Sequence, residues 1–249
     1  MFHSYKGGSG KTLLSVNVAS HLASNLGKRV LLIEADFTMP MLSDALDTPP
    51  DIFLNNYLED QTMRLEECIY DSENEDADYI LTSPDFKMSE RVFSYDLSWF
   101  DTTLHRMKND LERLEYDVVI FDMSPGKSLF SINSILMSNR IFLPMRPDRY
   151  SFEGTKNLIR NFYSNVDLMK DKNLYIIINQ VPRYEKINPL VDSWAIKLED
   201  VANQNVGVGR MHFEDETAYH VASQGIKLPK NDPSFAKINE LISSFIPNL

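Results

Sequence analysis

A single cysteine, Cys68, stands in 249 residues, which excludes an internal disulfide and leaves no C-x-x-C pair for a metal centre. Long apolar runs are absent too. The longest, such as Val30 to Ile33 and Leu174 to Ile178, fall far short of the roughly 18 residues that a membrane-crossing helix needs. Positive charge is in deficit: 25 Lys plus Arg face 36 Asp plus Glu, a formal net charge of −11. A protein whose whole surface attracts nucleic acid is thereby excluded, and only a local basic patch stays open for that purpose. The acidic surplus serves solubility and would suit a basic partner. No basic start followed by an apolar segment and a small-residue cleavage site is found, so the cytoplasm is the expected location and membrane insertion is not expected. What remains is ordinary globular usage, 43% hydrophobic and 24% charged, with enough apolar material for a real core.

Glycine is scarce as well, nine in all, yet Gly7, Gly8 and Gly10 fall within four residues. Ahead of them Met1 to Tyr5 can form a short strand. Behind them Leu14, Val18, Leu22 and Leu26 repeat every fourth residue up to Gly27, the pattern of a helix with a glycine stop. Val30 to Ile33 then reads as a strand covered on both faces, ending at Glu34-Ala35-Asp36. Residues 37–96 are less regular, with Pro40, Pro49, Pro50 and Pro84, an acidic loop from Asp71 to Asp78 and a strand at Tyr79 to Thr82; short helices over a sheet are expected there. Leu97, Phe100, Leu104, Met107, Leu111 and Leu114 have the spacing of an amphipathic helix, which feeds the strand Asp117 to Asp122. Helices at 127–137, 150–166, 186–204 and 233–246 alternate with strands at 139–143, 173–178 and 208–212. The alternation predicts an α/β fold, a doubly wound, mostly parallel sheet flanked by helices on both faces, as one domain over residues 1–249.

Ligands of such sheets bind beyond the carboxyl ends of the strands. Polar residues stand at four such ends: Lys6-Gly7-Gly8-Ser9-Gly10-Lys11-Thr12, Asp36, Asp122 and Asn179. The first is a phosphate cradle by its physics. Glycines let backbone N–H groups turn inward, a helix N-terminus follows, Lys11 adds a compact positive charge, and Thr12 offers a hydroxyl to a divalent cation. The strict G-x-x-x-x-G-K-[ST] pattern nevertheless fails, because Tyr5 stands at the first glycine position.

Lys6 to Thr12 resembles the deviant Walker A motif of the ParA/MinD ATPases, P-loop NTPases that do not need that leading glycine. Gly27 to Asp36 is similar to the family's second strand and switch I, and Tyr116 to Gly126 to its Walker B strand and switch II. Pro144 to Gly154, Asn179 and Thr217 to Pro229 fit later family blocks more loosely. The resemblance implies ATP and Mg2+ as cofactors, with Gly7, Gly8, Ser9 and Gly10 wrapping the phosphates and Lys11 on the β- and γ-phosphates. It further implies that Thr12 ligates the metal, Asp122 holds the metal's water shell and Asp36 orients the attacking water. Lys6, the signature lysine, would reach across an ATP-dependent homodimer, and Asn179 would recognise the adenine edge. Two positions depart from the pattern: Glu34 replaces the common aspartate with a longer arm, and switch I continues as Phe37-Thr38-Met39-Pro40.

The ParA-like branch implies a switch ATPase that partitions or positions DNA or another cargo, stimulated by an activator protein with a basic segment, on the nucleoid if nonspecific DNA is bound. Lys156, Arg160, Lys170, Lys172, Lys227 and Lys230 are the candidate DNA contacts. A MinD-like positioning ATPase, with the stripe Ile238, Leu241, Ile242, Phe245 and Ile246 as membrane helix, is one alternative; a closing helix packed on the sheet is the preferred reading of that stripe. Another alternative is an ATP-dependent ligase on the same scaffold, similar to dethiobiotin synthetase. His3, His21, His105, His212 and His220 show no metal-ligand spacing.

Overall fold

The apolar run after Gly27 becomes strand β1 (Val30–Ala35), buried along its whole length. It pairs in parallel with β2 (Asp78–Ile80) on one side and β3 (Val118–Met123) on the other, which sets Glu34 opposite Asp122. Three further strands, β4 (Arg140–Met145), β5 (Asn173–Val181) and β6 (Val206–His212), pair in parallel in the order β4-β5-β6. The structure, a computed structural model, describes residues 1–43, 49–71, 77–165, 167–202 and 206–246. Most of the expected acidic loop, residues 72–76, lies outside them, as do the last two residues of the helix expected over 186–204.

Packing divides the chain into two compact units, Met1–Val18 with Ser138–Leu249 and Ala19–Met137, the division falling inside helix α1 (Lys11–Ser24). The second unit also holds α2 (Leu54–Glu59), α3 (Phe86–Val92), α4 (Leu97–Arg113) and α5 (Leu129–Met137). The first holds α6 (Arg149–Leu158), continued by a π-helical turn over Ile159–Tyr163, then α7 (Asn188–Ala202), α8 (Asp215–Gln224) and α9 (Pro233–Phe245). Strands alternating with helices and parallel pairing between the named strands are the α/β arrangement that the pattern predicts.

Differences from expectation have local causes. The predicted strand at Met1 to Tyr5 is reduced to one parallel bridge, Phe2 with Phe142, held by Phe142 N to Met1 O and His3 N to Phe142 O, both 2.9 Å. The next rung would need an N–H from Pro144, which has none, so the ladder stops. In α4, Leu97 is 70% exposed, and the buried face is Phe100, Thr103, Met107 and Asp110. Asp110 takes the place of an apolar residue there because Tyr57 Oη donates to it at 2.9 Å and Arg113 pairs with it. Helix α8 was not foreseen, since of its residues only Thr217 is buried and no apolar stripe announces it. Helix α1 ends at Ser24, before Leu26, and the chain turns at Gly27 with a φ of +63°.

Candidate nucleotide-binding site

In the first unit the chain leaves the Phe2 bridge and turns at Gly8 and Gly10, whose φ values of +74° and +90° suit glycine alone. Gly10 is also hemmed in: an added Cβ would stand 2.3 Å from Asn179 Nδ2. Leu14 N donates to Gly10 O at 3.0 Å, so α1 begins directly at the turn, and its first amides have no helical acceptor. Lys11 and Ser9 are buried, and Ser9 Oγ has no hydrogen-bond partner among the described residues. Leaving a buried hydroxyl unmatched costs about 1–3 kcal/mol. Orphan hydroxyl, buried ammonium, tight glycines and a helix N-terminus together fit a polyphosphate.

Two side chains brace this cradle. Strand β5 carries a bulge between Ile178 and Val181, where Gln180 adopts a φ of +61°. At that bulge Asn179 Nδ2 donates to Ser9 O at 2.9 Å, and Asn179 Oδ1 accepts from Gln180 N at 2.9 Å. Its amide is therefore engaged with the loop and its own backbone, a role that the motif did not suggest. Asn17, buried in α1, donates from Nδ2 to Leu13 O (2.7 Å) and Ile226 O (2.9 Å), and its Oδ1 accepts from Leu228 N (2.8 Å). It fastens the segment that follows Gly225 to the helix behind the cradle. Sequence reasoning missed it, although a lone amide between Val16 and Val18 was the available signal.

Lys6 does not enter the cradle. Its Nζ lies 3.4 Å from Asp148 Oδ1, with both side chains about two-fifths exposed. Asp148 caps α6 by accepting from Ser151 N at 2.9 Å and Ser151 Oγ at 2.7 Å. Burial would raise the Asp148 carboxyl, but the Ser151 hydroxyl and amide, with the Lys6 ammonium, hold it below the usual carboxylate range. The neighbouring Tyr5 ring packs against the same helix at Gly154, where a Cβ would come within 2.0 Å of Tyr5 Cδ1. Among the candidate basic contacts, Lys156 pairs with Glu153 and Lys172 Nζ donates to Ser138 O at 2.8 Å, so both also serve inside the fold.

In the second unit Asp36 follows β1, and its Oδ1 accepts from Thr38 N (3.1 Å), Thr38 Oγ1 (2.5 Å), Met39 N (3.1 Å) and Ser124 Oγ (2.9 Å). Ser124 had not been singled out; it stands just past β3, two residues beyond Asp122. Asp122 is buried. Glu34, 1% exposed, accepts at Oε1 from Met41 N (2.8 Å) and Leu42 N (3.0 Å) and at Oε2 from Thr82 N (3.1 Å). Burial pushes its carboxyl up to about 7, against the pull of those three amides. The structure thus gathers the predicted residues into two groups: Lys6 to Thr12 with Asn179, and Asp36 with Asp122.

A family model described as an AAA domain matches residues 1–176. A virulence plasmid ParA family protein of Chlamydia psittaci, pGP5-D, is 28% identical over 169 residues, 66% of this chain and 62% of that protein. The sporulation initiation inhibitor protein Soj of Bacillus subtilis is 29% identical over 185 residues, 66% of each chain. The matched segments thus span just under two thirds of these relatives' length. Among solved structures, a putative plasmid partition protein of Borrelia burgdorferi bound to AMPPNP superposes with a TM-score of 0.76 at 16% identity, covering 100% of this chain and 98% of that one. A deviant cradle that keeps Lys6 and Lys11 around three glycines, on this fold and under this family match, places the chain among the AAA-domain proteins as a member of the ParA/MinD family of P-loop ATPases.

Proposed function

We propose that the chain is an ATP-dependent dimerising switch of the ParA type. Loaded with ATP and Mg2+, two copies close face to face, engage nonspecific DNA or another cargo on the nucleoid or elsewhere in the cytoplasm, and part again once ATP is hydrolysed to ADP and phosphate. Residues 1–249 act in this reading as one ATPase domain. The observation that carries it is the cradle at Ser9 to Lys11, with its buried ammonium and a hydroxyl unmatched among the described residues, at the start of α1. Likeness to proteins named ParA and Soj supports the partition reading over other P-loop chemistry.

Bound nucleotide supplies the anhydride bond and Mg2+ the charge neutralisation that phosphoryl transfer needs. The chain's own residues do the rest. Lys11 and the amides of Gly7 to Gly10 hold the phosphates, Thr12 ligates the cation, and Asp122 accepts from its water shell. Asp36, whose Oδ1 is occupied by four donors, uses Oδ2 to hold the attacking water. Lys6 leaves Asp148 and reaches the partner copy's phosphates, where it acts in trans. An activator with a basic segment would suit the acidic chain. Helix α9 favours the ParA type over a MinD-like membrane helix, because its Leu241 and Phe245 fill the space over Gly209 and Gly207 of β6.

Two variants test the reading. Lys11→Ala is expected to lose nucleotide binding in an equilibrium titration. Asp36→Ala is expected to bind ATP and remain dimeric by light scattering, with or without random DNA, while phosphate release falls by about a hundredfold. Wild-type nucleotide affinity in Lys11→Ala would overturn the reading, and wild-type turnover in Asp36→Ala would overturn that residue's part in it.

A further inference from the structure

The loop after Asp36 has four backbone N–H groups between residues 38 and 42, because Pro40 contributes none. All four are taken by two carboxylates. Asp36 accepts from Thr38 and Met39, and Glu34 accepts from Met41 and Leu42. The second oxygen of Glu34 accepts from Thr82 N, and Thr82 Oγ1 donates back to Glu34 O at 2.7 Å, which binds the segment after β2 to the same strand end. Met39 is 76% exposed and Met41 about half exposed, while Phe37 and Leu42 are buried at the loop's two ends. A buried carboxylate is costly unless hydrogen-bonded, and three amide donors are what this one has received.

We infer that Glu34 is a positioning residue for the hydrolytic loop: by gathering the Met41, Leu42 and Thr82 amides it fixes the course of residues 37–42 and with it the setting of Asp36. The longer arm relative to aspartate is the functional feature, since the acceptor must span from β1 to amides seven and eight residues further along. The inference rests on the hydrolytic reading of Asp36.

Hydrogen exchange of single amides, nucleotide affinity and phosphate release on Glu34→Asp and Glu34→Gln test it. The shorter Glu34→Asp is expected to speed exchange at Met41 and Leu42 by about tenfold or more, a loss consistent with one charge-assisted hydrogen bond. Its phosphate release should fall at least about fivefold while nucleotide affinity stays within about twofold, the split expected of a group that acts through Asp36. Glu34→Gln keeps an acceptor for Met41 and Leu42 but turns an NH2 towards Thr82 N, so exchange should rise at Thr82 and stay slow at the other two. Unchanged exchange at Met41 and Leu42 in Glu34→Asp, or unchanged turnover with fast exchange, overturns the inference. If Glu34→Asp does not fold, the Glu34→Gln exchange map decides: selective loss at Thr82 supports it, and uniform loss or no change overturns it. Failure of the ATPase reading shows separately, as nucleotide binding by Lys11→Ala.

Discussion

Gly154 shows how much one hydrogen atom can decide. A glycine inside a helix costs about 1 kcal/mol relative to alanine, yet α6 keeps one where the Tyr5 ring rests, its Cδ1, Cε1 and Cγ all within 2.6 Å of where a Cβ would be. Because Cγ is among those atoms, a small swing of the ring cannot relieve the clash. Gly154→Ala is therefore expected to lose about 1–2 kcal/mol in denaturant unfolding despite its better helix propensity. In a Tyr5→Ala background the same change should become stabilising by up to about 1 kcal/mol. Loss of the same size in both backgrounds would show that the ring is not the cause. Neither partner was legible beforehand: Tyr5 registered only as a missing glycine, and Gly154 as part of a loosely matching block.

Elements here are bounded by what their backbones can and cannot donate. Pro144 ends the N-terminal ladder after one bridge, and Gly207 and Gly209 let β6 run where Tyr175, Leu241 and Phe245 would collide with side chains. Sequence periodicity places this strand at 208–212, with Gly209 inside it and Gly207 outside, and so starts β6 two residues late. The same logic binds α1 to the segment after Gly225 through Asn17, whose amide satisfies Ile226 O and Leu228 N. Asn17→Ala leaves both groups without that partner in a buried setting, for an expected loss of about 2 kcal/mol. Urea unfolding should show a lower midpoint at unchanged slope, the mark of a native-state effect; an unchanged midpoint would assign the bonds no net value.

At the scale of the whole molecule the pairing of Lys6 with Asp148 matters most, because it engages the family's signature lysine within its own chain. An ion pair this exposed contributes roughly 1 kcal/mol or less, so exchanging it for a partner copy's phosphates is cheap. Lys6→Ala is expected to bind nucleotide within about twofold of wild type, because the residue is not in the cradle, yet to stay monomeric in light scattering with ATP. A normal dimer in that variant would remove Lys6 from the proposed interface. The cradle, Asp36 and Asp122 were readable from the chain because each is local: glycines and a lysine beside a helix start, or a carboxylate closing an apolar run. The α/β alternation was readable for the same reason, since periodicity lies within single elements. Glu34, Asn17 and the engaged amide of Asn179 were not, because each acts on backbone groups brought near only by folding, from seven residues away for Glu34 to 211 for Asn17, and Asp148 was not, because the Lys6 it pairs with lies 142 residues away. Residue types and local spacing determined where the candidate phosphate cradle and its carboxylates lie along the chain; the tertiary structure alone decided which buried polar groups are satisfied, and that the Ser9 hydroxyl has no partner among the described residues, because those partners come from segments distant in sequence.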